Sequence, residues 1–120
     1  MTLRSRLMNL KDLSPSDLRE RRRQIAGAMP PVEHVMRGTL MAAYKRCGRP
    51  NCHCAHGPGH GPKHYLSVSQ QGAHPRRDYV RNSDVDRAAQ FISNLQLLRA
   101  ALDQICAINT ELLRRHEDIG

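Results

Sequence analysis

Between Lys45 and Tyr65 the chain reads KRCGRPNCHCAHGPGHGPKHY, three cysteines and four histidines within twenty-one residues. Glycines and prolines interrupt the run so often that a continuous helix is ruled out, and a turning loop is the backbone path left to it. A loop this dense in sulfur and imidazole closes on a metal, works as a thiol redox site, or is a solvated turn. Size bears on the choice, because a domain of 120 residues stabilises its fold only modestly. With no Trp, one Phe (Phe91) and three Tyr (Tyr44, Tyr65, Tyr79), the chain also lacks the side chains that usually dominate burial. Reinforcement by a metal or by a second copy of the chain is therefore expected.

No stretch approaches the roughly 20 consecutive apolar residues of a membrane span. The N-terminal MTLRSRLMNLKDL has neither the apolar core nor the cleavage site of a signal peptide. The expectation is a cytoplasmic protein with no membrane partner. Thiols stay reduced there, so a tight cysteine cluster reads as metal-binding or catalytic before it reads as disulfides. Cys106 lies far from the cluster in an apolar helical pattern and reads as a small buried hydrophobe.

The sulfurs of Cys47, Cys52 and Cys54 follow the spacing C-x4-C-x-C, and His60 follows Cys54 after five intervening residues. Four such donors suffice for tetrahedral zinc, which needs turns that aim separate side chains at one point. Gly48 and Pro50 supply the first turn, and Gly57, Pro58, Gly59, Gly61 and Pro62 bend the chain back so that His60 can close the shell. The basic neighbours Lys45, Arg46, Arg49 and Lys63 favour thiolates. Zn2+ held by Cys47, Cys52, Cys54 and His60 is the expectation, with His53, His56 and His64 as rival fourth donors; His53, between two ligating cysteines, is expected to face away. Copper(I) and an iron–sulfur cluster stay open on this spacing. A catalytic metal needs an open position and a nearby acid or base, yet no Asp or Glu occurs between Glu33 and Asp78. No Gly-rich phosphate loop or activated serine arrangement appears either, so no enzymatic activity is expected.

Helix signals are clear at two places. Ser14-Pro15-Ser16-Asp17 combines a cap, a proline at the first helical position and an acid in the first turn, and predicts a basic helix from Pro15 to Met29, stopped by Pro30-Pro31. Residues 1–13 read as a short helix or a frayed arm. After Asn82, Ser83 or Asp84 caps a long helix running towards His116 with no Pro or Gly inside it. Between the helices, RGTLMAAYKR reads as a strand delivering Cys47, and KHYLSVS and RRDYVR read as a hairpin around QQGAHP. The expected fold class is α+β: a small three-stranded antiparallel sheet with a zinc-binding loop, an N-terminal basic helix and a long C-terminal heptad-patterned helix. The expected divisions are a basic helical segment over 1–31, a zinc-loop β domain over 32–82 and the long helix over 83–120.

Phe91, Leu95, Leu98, Leu102, Ile105, Asn109 and Leu112 recur at alternating spacings of four and three, a heptad seam with Asn109 at an a-type position. A homodimer through this seam is expected; docking of the stripe on the sheet or first helix of the same chain is the alternative.

The net charge is +8, and Arg supplies sixteen of the nineteen basic residues. Residues 1–30 carry +4, residues 31–83 carry +6 and residues 84–120 carry −2. Charge gathered in this way suits a polyanionic partner, and Arg suits phosphate. The expected nucleic-acid contacts are Arg19, Arg21, Arg22 and Arg23 on the first helix, Lys45, Arg46, Arg49 and Lys63 around the loop, and Arg76, Arg77 and Arg81 on the hairpin. With so few aromatic residues, base stacking on single strands is not expected to dominate, and backbone contacts to duplex DNA are.

The run from Met36 to Leu113 resembles a family of small bacterial proteins of unknown function, often encoded beside transposase or recombinase genes of mobile elements. Cys47-Gly48, Cys52, Cys54-Ala55, His60-Gly61-Pro62, Tyr65-Leu66-Ser67 and Tyr79-Val80 carry the resemblance. It implies Cys47, Cys52, Cys54 and His60 as the matched set, and a DNA-associated, mobile-element setting. Where that family tends to have a run of tyrosines after the Gly-Pro, this chain has Lys63-His64-Tyr65. Together these features lead to a zinc-stabilised nucleic-acid-binding accessory protein; a protein–protein adaptor for a recombinase or transposase is the second reading and a thiol redox protein the third.

Overall fold

The structure is a computed structural model describing residues 9–57 and 59–120, with the side chain of Cys54 also outside the description. It is α+β, with helix α1 (Pro15–Gly27), strands β1 (Thr39–Lys45), β2 (His60–Val68) and β3 (Arg76–Val80), and the long helix α2 (Val85–Arg114). The strands form one antiparallel sheet in the order β1-β2-β3. Two compact units result, a helical one built from residues 9–31 and 96–120 and a sheet unit of residues 32–95.

The helical unit starts as its sequence dictates. Ser14 Oγ accepts a hydrogen bond from the Asp17 amide at 3.1 Å and Pro15 opens α1, which satisfies one of the otherwise orphaned N-terminal donors. The helix closes at Gly27, two residues before Met29, because the Ala28 amide folds back onto the carbonyls of Gln24 and Ile25. Leu18 is fully enclosed with Ile108 and Leu112, and Leu10, Leu13 and Ile25 pack around them. Within residues 9–13 the chain makes a single 3-10 turn, Leu10–Asp12; the rest of the N-terminal arm lies outside the described residues. Arg115 fastens that turn. Its guanidinium donates to the carbonyls of Leu13 (2.6 Å), Leu10 (2.9 Å) and Lys11 (3.1 Å), and to Glu111 Oε2 at 2.7 Å. Cys106 is exposed, contrary to the expectation of burial, because α2 turns Ile108 and Leu112 inward and leaves position 106 on the wet side.

In the sheet unit, the register sets the two faces, because successive residues of a strand point to opposite sides. Leu40 pairs with Leu66, Leu66 with Asp78, and His64 with Val80. Leu66 and Val80 line a small cavity of about 340 Å³ with Met36, Ala88 and Phe91. The approach to α2 is fixed by the Met36 amide donating to the Phe91 carbonyl (3.1 Å) and by Asn94, buried, donating to the His34 carbonyl at 2.9 Å. His34 stacks on Phe91, centroids 5.2 Å apart. β2 begins three residues earlier than KHYLSVS suggests: the ladder slips between Ala43/Lys63 and Lys45/His60. Gly61 and Pro62 occupy that irregularity, where a residue without an N–H costs the ladder nothing.

Candidate metal centre

Cys47 follows two residues after β1, and His60 opens β2 as the pairing partner of Lys45. The loop between them must therefore leave and return at the same end of the sheet. A turn at Gly48 (φ 81°) starts it; the Cys52 amide bonds to the Arg49 carbonyl at 3.2 Å, and a 3-10 turn over His53–Ala55 follows. The return is so tight that a Cβ on Gly59 (φ 105°) would sit 2.8 Å from the Lys45 carbonyl carbon, which only glycine avoids. Arg46 braces the loop from inside, its Nε and Nη2 donating to the Gly57 carbonyl at 3.3 and 3.1 Å.

This path brings Cys47 Sγ, Cys52 Sγ and a His60 ring nitrogen within 4.8 Å of one another, and Cys52 Sγ lies 3.3 Å from His60 Nε2. Donors at the corners of a zinc–sulfur tetrahedron stand about 3.8 Å apart, so the three are gathered closely enough to hold a metal ion. Thiolate and imidazole together suit the softer transition metals. Cys54, expected as the third sulfur, has its side chain outside the described residues. His53 stands closer than its place between two cysteines suggests: its Nδ1 is 3.9 Å from Cys52 Sγ and its ring meets that of His60 edge-on at 5.2 Å. His56 is exposed at the end of the 3-10 turn. His64 is held elsewhere, Nδ1 facing Asn82 Oδ1 at 3.3 Å.

The expected nucleic-acid contacts divide by environment. On α1, Arg19 donates to the Asp118 carbonyl and pairs with Glu117, Arg22 donates to Asn109 Oδ1 (2.7 Å) and the Ile119 carbonyl (2.8 Å), and Arg23 pairs with Glu20; Arg21 lines a depression with Leu10 and Ile25. Arg76 pairs with Asp78 and Arg81 with Asp84, and Arg46 is committed to the loop. Lys45, Arg49, Lys63 and Arg77 are exposed and have no partner among the described residues.

The expected seam is unevenly used. Phe91 lies against His34, with the Arg87 guanidinium 5.5 Å from its ring centre. Asn109 receives Arg22, and Leu112 is enclosed with Leu18. Leu95, Leu98 and Ile105 are half-buried and Leu102 is 48% exposed. Sequence reasoning missed Arg115, which carries no local signal of its role, and the row of exposed Met41, half-buried Tyr65 and exposed Tyr79, which strand alternation combined with register would have revealed.

Among the described residues, no helix is long and apolar enough to cross a membrane. No curated protein and no solved structure matches the chain. A family match does exist and runs over residues 15–90, taking in α1, the whole sheet, the cysteine–histidine loop and the first turns of α2. By that match, across more than half its length, the chain belongs to the family described as domain of unknown function (DUF6788).

Proposed function

We propose that the chain is a zinc-stabilised, non-enzymatic nucleic-acid-binding accessory protein that contacts the backbone of duplex DNA, in the mobile-element setting its resemblance implies. One observation carries this reading: Lys45, Arg49, Lys63 and Arg77 stand exposed and unpaired among the described residues, in a stretch with no Asp or Glu between Glu33 and Asp78. Cations already neutralised by a neighbouring carboxylate gain little from phosphate, whereas unpaired ones release counterions from DNA at full effect. The arginines of α1 are the weaker candidates, since Arg19 and Arg23 already face Glu117 and Glu20. Zinc fits the mixed thiolate and imidazole donors, and a second copy associating through Leu98 and Leu102 would double the cationic surface.

A salt titration of binding to a short DNA duplex tests the reading. Four phosphate contacts give a log–log slope of roughly −3.6. Lys63→Glu with Arg77→Glu should weaken binding more than Arg19→Glu with Arg23→Glu. Equal losses from both pairs would reduce the attraction to net charge, and no binding at about 50 mM salt would favour a protein–protein adaptor, for which the exposed Leu97, Leu102 and Leu113 of α2 supply the surface.

A further inference from the structure

The sheet has a second face, turned away from Leu66 and Val80, and its composition is set by register. Met41 pairs with Tyr65 and Tyr65 with Tyr79, so one row crosses all three strands with a thioether and two phenol rings. The neighbouring rows place Ala43 beside Lys63 on one side and Thr39, Ser67 and Arg77 on the other. Tyr79 is 59% exposed and Met41 39%. The two tyrosine rings meet edge to face, centroids 6.0 Å apart and planes at 71°, so each leaves a π-face uncovered by the other. Met41, Ala43, Tyr65 and Arg77 enclose a shallow depression of about 280 Å³. Among the described residues no strand places a carboxylate on this face: Asp78, the one acid of the strands, points to the other side with Leu66 and pairs with Arg76.

An aromatic row flanked by unpaired cations and free of acids is complementary to a ligand with both flat π-systems and phosphates. A duplex hides its base faces by stacking; a single strand offers them. We propose that this outer face binds single-stranded DNA, with Tyr79 and Tyr65 stacking on successive bases while Lys63 and Arg77 engage the flanking phosphates. The apolar atoms of Met41 and Ala43 favour a thymine C5-methyl, a group that uracil lacks. This extends the nucleic-acid reading above and rests on it.

The test uses the full chain and a thymidine oligonucleotide of about 10 nucleotides, within the span of a small single-strand module. The chain contains no Trp, so tyrosine emission reports stacking directly and should be quenched on binding. Tyr79→Ala should weaken binding about tenfold, as loss of one stacked base implies, while Tyr79→Phe keeps the affinity. Arg77→Gln should make the salt slope shallower by about 0.7, the single-strand value per phosphate. A matching 2′-deoxyuridine oligonucleotide, which differs only in that methyl, should bind more weakly. The proposal is overturned if Tyr79→Ala binds as wild type does with unchanged quenching, or if the deoxyuridine strand binds equally well. If the duplex binds with its expected salt slope and the single strand does not, the tyrosine row is not a single-strand site and the duplex reading stands; if neither binds, both fall.

Discussion

Stripping the metal should loosen one segment and leave the rest of the chain folded. The loop between Cys47 and Gly57 is secured within itself by the turn bonds Cys52–Arg49, Ala55–Cys52 and His56–His53 and by the Arg46 clamp on Gly57. Fixing about ten residues costs roughly 10–20 kcal/mol of conformational entropy, whereas four hydrogen bonds of this kind return roughly 2–6 kcal/mol. The shortfall, roughly 4–18 kcal/mol, is of the order of the free energy that structural zinc supplies in small domains, about 10–16 kcal/mol. On the zinc-stabilised reading proposed above, the loop is therefore expected to lose its order when the metal is removed. The ladder from Thr39/Ser67 to Ala43/Lys63 lies beyond the bulge and keeps its own pairing, and the Leu18-Ile108-Leu112 core contains no loop residue.

The assay is amide hydrogen exchange on the intact chain, before and after chelation, with bound zinc measured on the same samples. Protection should disappear over residues 45–60 and persist over 15–27 and 96–114. His60→Ala should reproduce the loss more fully than His53→Ala, since His60 Nε2 lies 3.3 Å from Cys52 Sγ and the nearest His53 nitrogen 3.9 Å away. Unchanged protection of the loop after complete removal of zinc would refute the reasoning, as would a uniform loss across the chain, which would mean that the metal underwrites the whole fold.

Three further outcomes are expected. Leu18→Ala should lower stability by about 2–5 kcal/mol in denaturant titrations, as burial of a fully enclosed leucine predicts; a change confined to the sheet unit would contradict the packing. The Arg115 hydrogen bond holds the Glu111 carboxyl below its ordinary 4.5, against a smaller opposing effect of burial and with help from the charges of Arg115, Arg114 and Lys11. A depressed native value means that this stabilisation is complete above the unfolded-state pKa and is lost as pH falls through the native one, so the melting temperature should decline below about pH 4.5 and Glu111→Gln should flatten that decline. Leu98→Asp should lower the mass seen by sedimentation if the seam joins two copies, because a charge cannot be buried there unpaired; a wild-type chain that sediments as a monomer at high concentration would remove the dimer.

Local chemistry was the readable part of the fold. Ser14 and Pro15 marked a helix start, β-prone runs marked all three strands, and an uninterrupted stretch marked α2. What a stripe packs against is another matter. Leu112 meets Leu18 and Asn109 meets Arg22, but a heptad pattern is the same whether its partner is a second chain or an earlier helix of the same one, since periodicity encodes a face and not its occupant. Arg19 and Arg22 reach Asp118 and Ile119 across almost the entire chain, a pairing without any short-range signature. His53 lies outside the Cys47-Cys52-His60 group, yet nearer to it than alternation would place it. Alternation would turn it away from Cys52, but the backbone there is a 3-10 turn, in which each residue rotates by about a third of a turn and not a half.

Composition and position pull apart most sharply at the tyrosines. Three tyrosines in 120 residues are too few to make stacking a property of the chain as a whole, and that count favours phosphate contacts alone. Stacking, however, depends on adjacency, and adjacency in a sheet is fixed by register. Tyr65 and Tyr79 lie fourteen residues apart in sequence yet face each other across β2 and β3. A one-residue slip of β3 would place Tyr79 on the inner face with Leu66. The same slip would bring Asp78 to the outer face beside Lys63 and turn Arg77 inward, replacing a cation by an acid on that face. The register that packs Val80 inward against Ala88 and Phe91 is thus also what keeps the outer face aromatic, cationic and free of acid, so the hydrophobic demand of one face determines the chemistry presented by the other.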